Sequence, residues 1–205
     1  MDSYITVKNT ARFEYEDRKS VFIGYASPVS HEADAIAFIE AVKKKFPDAR
    51  HHVYAYVLRE NSIMRFSDDR EPQGTAGMPV LDTIRKNGCT DTVIVVVRYF
   101  GGTLLGTGGL VRAYTAAAAG ALNAAEIITY DMYTEITSVV SYSDYQRLGP
   151  IFDEFSFRAA DTRYTESVEI SGSVRSVDFE KMQDKLIQAT GGRIKLKKIG
   201  EKFDF

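Results

Sequence analysis

Apolar residues at helical spacing, Ala35, Ile39, Val42 and Phe46, share one face of the segment HEADAIAFIEAVKKKF and predict an amphipathic helix that opens after Ser30 and stops at Pro47. Glu32 and Asp34 fall early in it and three lysines late, the polarity that the helix dipole favours. Residues 20–29 and 51–58 read instead as extended segments, with residues 63–66 as a partner for the second. Residues 92–97, TVIVVV, are continuously apolar and β-branched, the pattern of a strand covered by helices. Residues 78–86 predict a helix closed by Asn87-Gly88, in which Pro79 is tolerated because it falls in the first turn. From Gly109 to Ala125 the chain is dominated by alanine (Ala113, Ala116 to Ala119, Ala121), so a helix is expected whose small side chains let it lie close against a sheet.

Beyond Glu126 the pattern changes. A strand is predicted over 127–140, a helix from Asp144 with a capping box at Ser143 to Gln146, strands over 158–163 and 166–174, a helix over 179–189 and a strand over 193–199. The order βαββαβ is the ferredoxin-like plan, an antiparallel sheet with both helices on one side. The fold class is therefore α+β in two domains, 1–127 and 132–205, with no Pro-, Gly- or Ser-rich linker between them.

Composition narrows the picture. The 205 residues are 44% hydrophobic and 26% charged, the balance of an ordinary globular protein, which excludes disordered and fibrous classes. No apolar run reaches the about 18 residues that a membrane span needs, so no membrane partner is expected. The start, MDSYITVKN, lacks the basic and apolar regions of an export signal, and a cytoplasmic location is expected. A single cysteine, Cys89, excludes an internal disulfide and a cysteine-cluster metal site. A net charge of −2 gives no general electrostatic reason to bind nucleic acid and none for DNA specificity, but it leaves room for a local basic patch.

Chemistry concentrates in three places. Between the buried strand and the alanine helix, RYFGGTLLGTGGLVRAY carries Gly101, Gly102, Gly106, Gly108 and Gly109. Uncovered amides beside a helix start favour an anion, and Arg98 and Arg112 are candidates to add charge-assisted bonds to phosphate. The spacing is neither Gly-Lys-Ser/Thr nor GxGxxG. The loop SDDREPQGTAG is read as exposed, with Asp68, Asp69 and Glu71 as candidate Mg²⁺ ligands or acid and base groups. His51 and His52, neighbours on a strand, face opposite sides and cannot together chelate one ion, but either is a candidate base if it meets the acidic loop. Tyr54 and Tyr56 share the His52 face and are expected to pack. In the last strand Arg193, Lys195 and Lys197 alternate with Ile194 and Leu196, a candidate basic strip for an RNA backbone. Neither GxSxG nor HExxH is present.

These segments carry a resemblance. Residues 18–24 (RKSVFIG), 49–56 (ARHHVYAY), 65–77 (RFSDDREPQGTAG) and 96–102 (VVRYFGG), with Leu105-Gly106 and residues 108–114 (GGLVRAY), are similar in unbroken order to the YigZ/IMPACT family. The rest resembles the small C-terminal domain of its bacterial two-domain members. The resemblance implies an N-terminal α/β sandwich of the ribosomal protein S5 domain 2-like type and a ferredoxin-like C-terminal domain, folds that also occur in distal domains of translocase elongation factors. The family commonly has Asp-Asp-Gly-Glu-Pro where this chain has Asp68-Asp69-Arg70-Glu71-Pro72. The arginine argues against a left-handed backbone at position 70 and adds positive charge beside the acids.

The expected function is a non-catalytic binding protein associated with translation, contacting structured RNA, the ribosome or a translation protein, without a cofactor. Arg98, Arg112 and the amides of Gly106 to Gly109 hold phosphate in this reading, and Arg193, Lys195 and Lys197 extend the contact. The alternatives are a Mg²⁺-assisted hydrolase of a phosphorylated or peptide-like small molecule, built on Asp68, Asp69, Glu71 and His51 or His52, and a protein-interaction module.

Overall fold

The computed structural model describes residues 3–205, Asn61 through its backbone alone. Residues 4–129 form one unit and Ser3 with residues 130–205 the other, and residues 1 and 2 of the expected first domain lie outside the described residues. After β1 (Ser3–Val7), the first unit runs β2 (Ala11–Asp17), β3 (Ser20–Pro28), α1 (Glu32–Lys45), β4 (His51–Val57), β5 (Met64–Ser67), α2 (Gly77–Lys86), β6 (Thr92–Tyr99) and α3 (Gly106–Ala124). Its antiparallel sheet has the order β2–β3–β6–β4–β5. The apolar run of β6 lies at the centre because both its faces are covered. Val93, Val95 and Val97 pack with α1, while Ile94 and Val96 pack with α2 and α3. Tyr54 and Tyr56 are on the α1 side, where Tyr56 donates to the Glu32 carboxylate at 2.6 Å, so they pack as expected.

The alanine helix approaches the sheet as its composition predicts. Ala113, Ala117, Ala118 and Ala121 are fully buried, and a Cβ on Gly24 of β3 would fall inside 3.0 Å of the Ala117 carbonyl. The helix starts earlier than the pattern predicts, so Gly106, Gly108 and Gly109 belong to its first turn. Among the described residues no helix is long and apolar enough to cross a membrane.

The N-terminal strand closes the end of this core. Thr90 N donates to Ile5 O at 2.8 Å, and Cys89 is buried beneath it. Burial pushes the Cys89 thiol up to about 11. Its thiolate fraction at pH 8 is then far below that of a free cysteine, and native protein is expected to react with a disulfide reagent on the order of 100-fold more slowly than denatured protein. Equal rates in the two states would show that this end of the core is open.

The second unit is ferredoxin-like. Elements β7 (Ile127–Val140), α4 (Tyr142–Glu154), β8 (Arg158–Tyr164), β9 (Val168–Arg175), α5 (Phe179–Thr190) and β10 (Lys197–Asp204) give an antiparallel sheet β10–β7–β9–β8. Its core joins Ile136, Ile170 and Val174 to Leu148, Met182 and Leu186 of the helices. Two local readings are corrected. Ser141, not Ser143, caps α4, its Oγ accepting from Asp144 N at 3.1 Å. The last strand begins at Lys197, so Arg193 and Lys195 precede it. Ile194 and Leu196 still point into the core, which preserves the alternation without ladder bonds.

Candidate functional site

Sheet register assembles the site. His51 of β4 pairs with Arg98 of β6, and Arg98 pairs with Phe22 of β3. In an antiparallel sheet such partners point to the same side, and here it is the side covered by α2 and α3. The three residues form a row across the sheet, with the Arg98 guanidinium 5.4 Å from the centre of the Phe22 ring. His52 points to the opposite face, where its Nε2–H donates to Phe46 O at 2.9 Å near the end of α1. Its Nδ1 lies 3.9 Å from Asp69 Oδ2, on the opposite side of the sheet from His51 and the cavity.

The acidic loop is exposed at Arg70 and residues 72–74, as expected, but its acids turn to partners within the unit, with Glu71 buried. Asp68 accepts from the amides of Gly74 (2.9 Å), Ala76 (3.1 Å) and Gly77 (2.7 Å), which fixes the entry to α2. Asp69 accepts from His52 N at 2.6 Å. The Asp69 carbonyl accepts from Nδ1–H of His51 at 2.8 Å, so the neutral ring keeps its lone pair on Nε2, which lies 3.8 Å from Glu71. Glu71 is buried: one carboxylate oxygen accepts from Arg98 Nη1 at 2.5 Å and from the Tyr114 hydroxyl at 2.7 Å. Burial and the Glu71 carboxylate together push the Tyr114 phenol well above its ordinary value.

Two candidate roles are corrected by these partners. The acids serve the backbone of their own loop and the Arg98 and Tyr114 side chains. Among the described residues no group of three or more His, Cys, Asp or Glu is placed to hold a metal ion, so Asp68, Asp69 and Glu71 do not form the expected Mg²⁺ set. Arg98 is not a free phosphate ligand either: its charge is paired with Glu71, the two side chains being 7% and 4% exposed. Its Nε is nevertheless buried with no hydrogen-bond partner.

The glycines divide by role. Gly101 lets two turns touch, since a Cβ there would fall inside 3.0 Å of Lys19 and Ser20 backbone atoms, and its amide donates to Ser20 Oγ at 3.1 Å. Gly102 and Gly106 take left-handed φ values of 87° and 72°. Gly108 and Gly109 lie beneath Arg112, whose guanidinium nitrogens come within 3.6 and 3.9 Å of where their Cβ atoms would be. Arg112 is exposed, over the first turn of a helix that no side chain caps.

A cavity of about 330 Å³ opens at this place, lined by Arg50, His51, Arg70, Glu71, Arg98, Phe100 and Leu104. Sequence reasoning missed Arg50, Phe100, Leu104 and Tyr114 as site residues, although each stands beside or within a segment it had singled out. Arg70 corrects a sharper expectation: it adopts φ 69°, the left-handed conformation that its side chain argues against. In the second unit Arg193 is held by Asp144 at 2.7 Å, while Lys195 and Lys197 are exposed and make no ion pair among the described residues.

The sequence model of the Impact N-terminal domain matches residues 18–122, half of the chain and every residue of the cavity. The chain is 36% identical over 201 residues to IMPACT family member YvyE of Bacillus subtilis, covering 96% of this chain and 91% of that protein. The chain belongs to the IMPACT family. It is also 38% identical over 151 residues to IMPACT family member YigZ of Escherichia coli, covering 72% of each. A solved structure described as a hypothetical protein matches with a TM-score of 0.61 and 31% identity over 98% of both chains. A second model, a domain of unknown function designated DUF1949, matches residues 139–193. The IMPACT match thus falls on the unit that holds the cavity, and the DUF1949 match on the ferredoxin-like unit.

Proposed function

We propose that this IMPACT-family protein is a non-catalytic RNA-binding protein associated with translation, and that the cavity of the first unit is its RNA contact. The observation that carries the reading is the lining: three guanidiniums, from Arg50, Arg70 and Arg98, against one carboxylate, Glu71. A local excess of positive charge on a chain of net charge −2 marks an anionic ligand rather than general stickiness. Phe100 and Leu104, 44% and 82% exposed at the same rim, offer apolar surface on which an unpaired base can stack. Arg18 and Lys19 are exposed in the turn that Gly101 touches, and Arg112 is exposed over the start of α3, which extends the basic surface for a phosphate backbone. The link to translation rests on the resemblance of both folds to elongation-factor domains. The contact needs no metal, and the acids that a hydrolase would use are engaged within the chain.

The test is anisotropy of a labelled single-stranded oligoribonucleotide at several salt concentrations, with the wild type and an Arg50→Ala/Arg112→Ala variant. Among the described residues Arg50 and Arg112 make no ion pair or side-chain hydrogen bond, so the melting temperature of that variant is expected to stay unchanged. Its log–log salt slope is expected to fall by about 1.4, for two phosphate contacts at about 0.7 each. Absence of wild-type binding at low salt, or an unchanged slope, overturns the reading.

A further inference from the structure

The cavity has features that a passing phosphodiester backbone does not require. Its volume of about 330 Å³ is at the small end of ligand pockets, roughly that of one nucleotide unit. Two of its lining residues, Glu71 and Arg98, are buried, and Glu71 is bonded in turn to the buried Tyr114. Three guanidiniums against one carboxylate leave two positive charges on the lining. A phosphodiester carries one negative charge, whereas a phosphomonoester carries about −1.5 to −2 at neutral pH and three acceptor oxygens. The charge of the lining is therefore matched by a monoester.

Two of the guanidiniums are themselves incomplete. Arg98 lines the cavity with a side chain 7% exposed, and among the described residues its Nε–H, itself buried from solvent, has no acceptor. Arg70 holds a left-handed backbone, φ 69°, which strains an L-residue and which glycine adopts freely. Its side chain is 87% exposed and has one ion-pair contact, 3.9 Å to Asp69. Asp69 and Arg70, at φ 40° and 69°, are the central residues of a tight turn closed by Glu71 N donating to Asp68 O at 2.9 Å, and from that turn Arg70 lines the cavity.

We infer that the cavity is a terminal-phosphate subsite: it takes the monophosphorylated end of an RNA strand, with Arg70 as the residue that sets the preference for a phosphomonoester over a phosphodiester. This assignment rests on the RNA-binding reading above and gives it a ligand chemistry. Arg50 and Arg70 hold the phosphate oxygens from the rim, beside the buried Arg98–Glu71 pair, and the terminal base lies along Phe100.

The test compares oligoribonucleotides of one sequence that differ only at their ends: hydroxyl at both, 5′-phosphate, or 3′-phosphate. One of the phosphorylated forms is expected to bind the wild type about tenfold or more tightly than the hydroxyl form, the loss expected for one charge-assisted contact. Arg70→Gly is expected to erase that preference while raising the melting temperature by about 2–4 °C through relief of the left-handed strain. A merely structural Arg70 would move the melting temperature and leave the preference intact, and that result overturns its role. Equal binding of all three oligonucleotides overturns the terminal-phosphate subsite and leaves the RNA-binding reading standing, whereas binding of none removes the RNA-binding reading itself. A nucleoside monophosphate that competes as well as the phosphorylated RNA assigns the cavity to a free metabolite and overturns the RNA end as its ligand.

Discussion

Glu71→Ala is expected to destabilise the first unit by about 3–5 kcal/mol, the usual cost of breaking a buried ion pair from one side. The substitution leaves the Arg98 guanidinium with no counter-charge in a nearly dry site, and it takes the acceptor from the Tyr114 hydroxyl in the same step. Neither group can move to water cheaply. Arg98 is fixed in β6 between Phe22 and His51, and Tyr114 is fully buried on α3, where its ring meets Phe22 edge-on with centroids 5.1 Å apart. Glu71→Gln keeps an acceptor and loses the charge, so an intermediate cost is expected. The paired change Glu71→Leu/Arg98→Met is expected to cost less than Glu71→Ala alone, because it removes both charges together. Denaturant unfolding followed by circular dichroism is the suitable measurement, since the chain has no tryptophan. A loss below about 1 kcal/mol in Glu71→Ala would mean that water already reaches the pair, as at an exposed salt bridge.

Gly101→Ala is the second large effect, expected at about 3 kcal/mol, the upper end for overpacking a close-packed site. The added methyl would meet backbone atoms of Lys19 and Ser20 inside 3.0 Å, and no side-chain rotation relieves a clash between two backbones. The β2–β3 turn must then separate from the turn that follows β6, breaking the Gly101 N to Ser20 Oγ bond. The control is Gly102→Ala. That residue has φ 87° and open space around it, so its alanine meets only the left-handed penalty of about 1–2 kcal/mol. The order of the two costs is the point of the test. If Gly102→Ala proves the more damaging, the two turns are not in the tight contact described above.

Much of the fold is legible in the chain because it depends on local pattern. The continuous apolarity of TVIVVV follows from burial on both faces, and the alanine run from close approach to a sheet, with Gly24 and Gly120 thinning the facing surfaces. The βαββαβ order of the second unit follows from periodicity and turn signals, and it folds into the β10–β7–β9–β8 sheet. The misplaced boundaries, such as a last strand that starts at Lys197 and a helix that starts at Gly106, fall where alternation or glycine content is indifferent to which backbone bonds form.

The candidate site was legible only in part: the sequence marked His51, Glu71 and Arg98 but not Arg50, Phe100, Leu104 or Tyr114, and it did not give the roles. The sequence alone determined which groups are present and that His51 and His52 must face opposite ways, because the strand period is two. Which histidine ring lies beside Glu71 depends on the pairing of β4 with β6 and on the fold of residues 68–76, and neither is encoded in any short window. Arg98 reads as a free cation, but the structure pairs it with Glu71, 27 positions away in the chain, because a buried guanidinium needs a carboxylate more than an exposed one does. Arg70 reads as a residue unsuited to a left-handed turn, yet the loop that Asp68 anchors holds it there. Local chemistry is written in residue types, while the partner of each charge is chosen by long-range packing, which decides who is close and how dry the contact is.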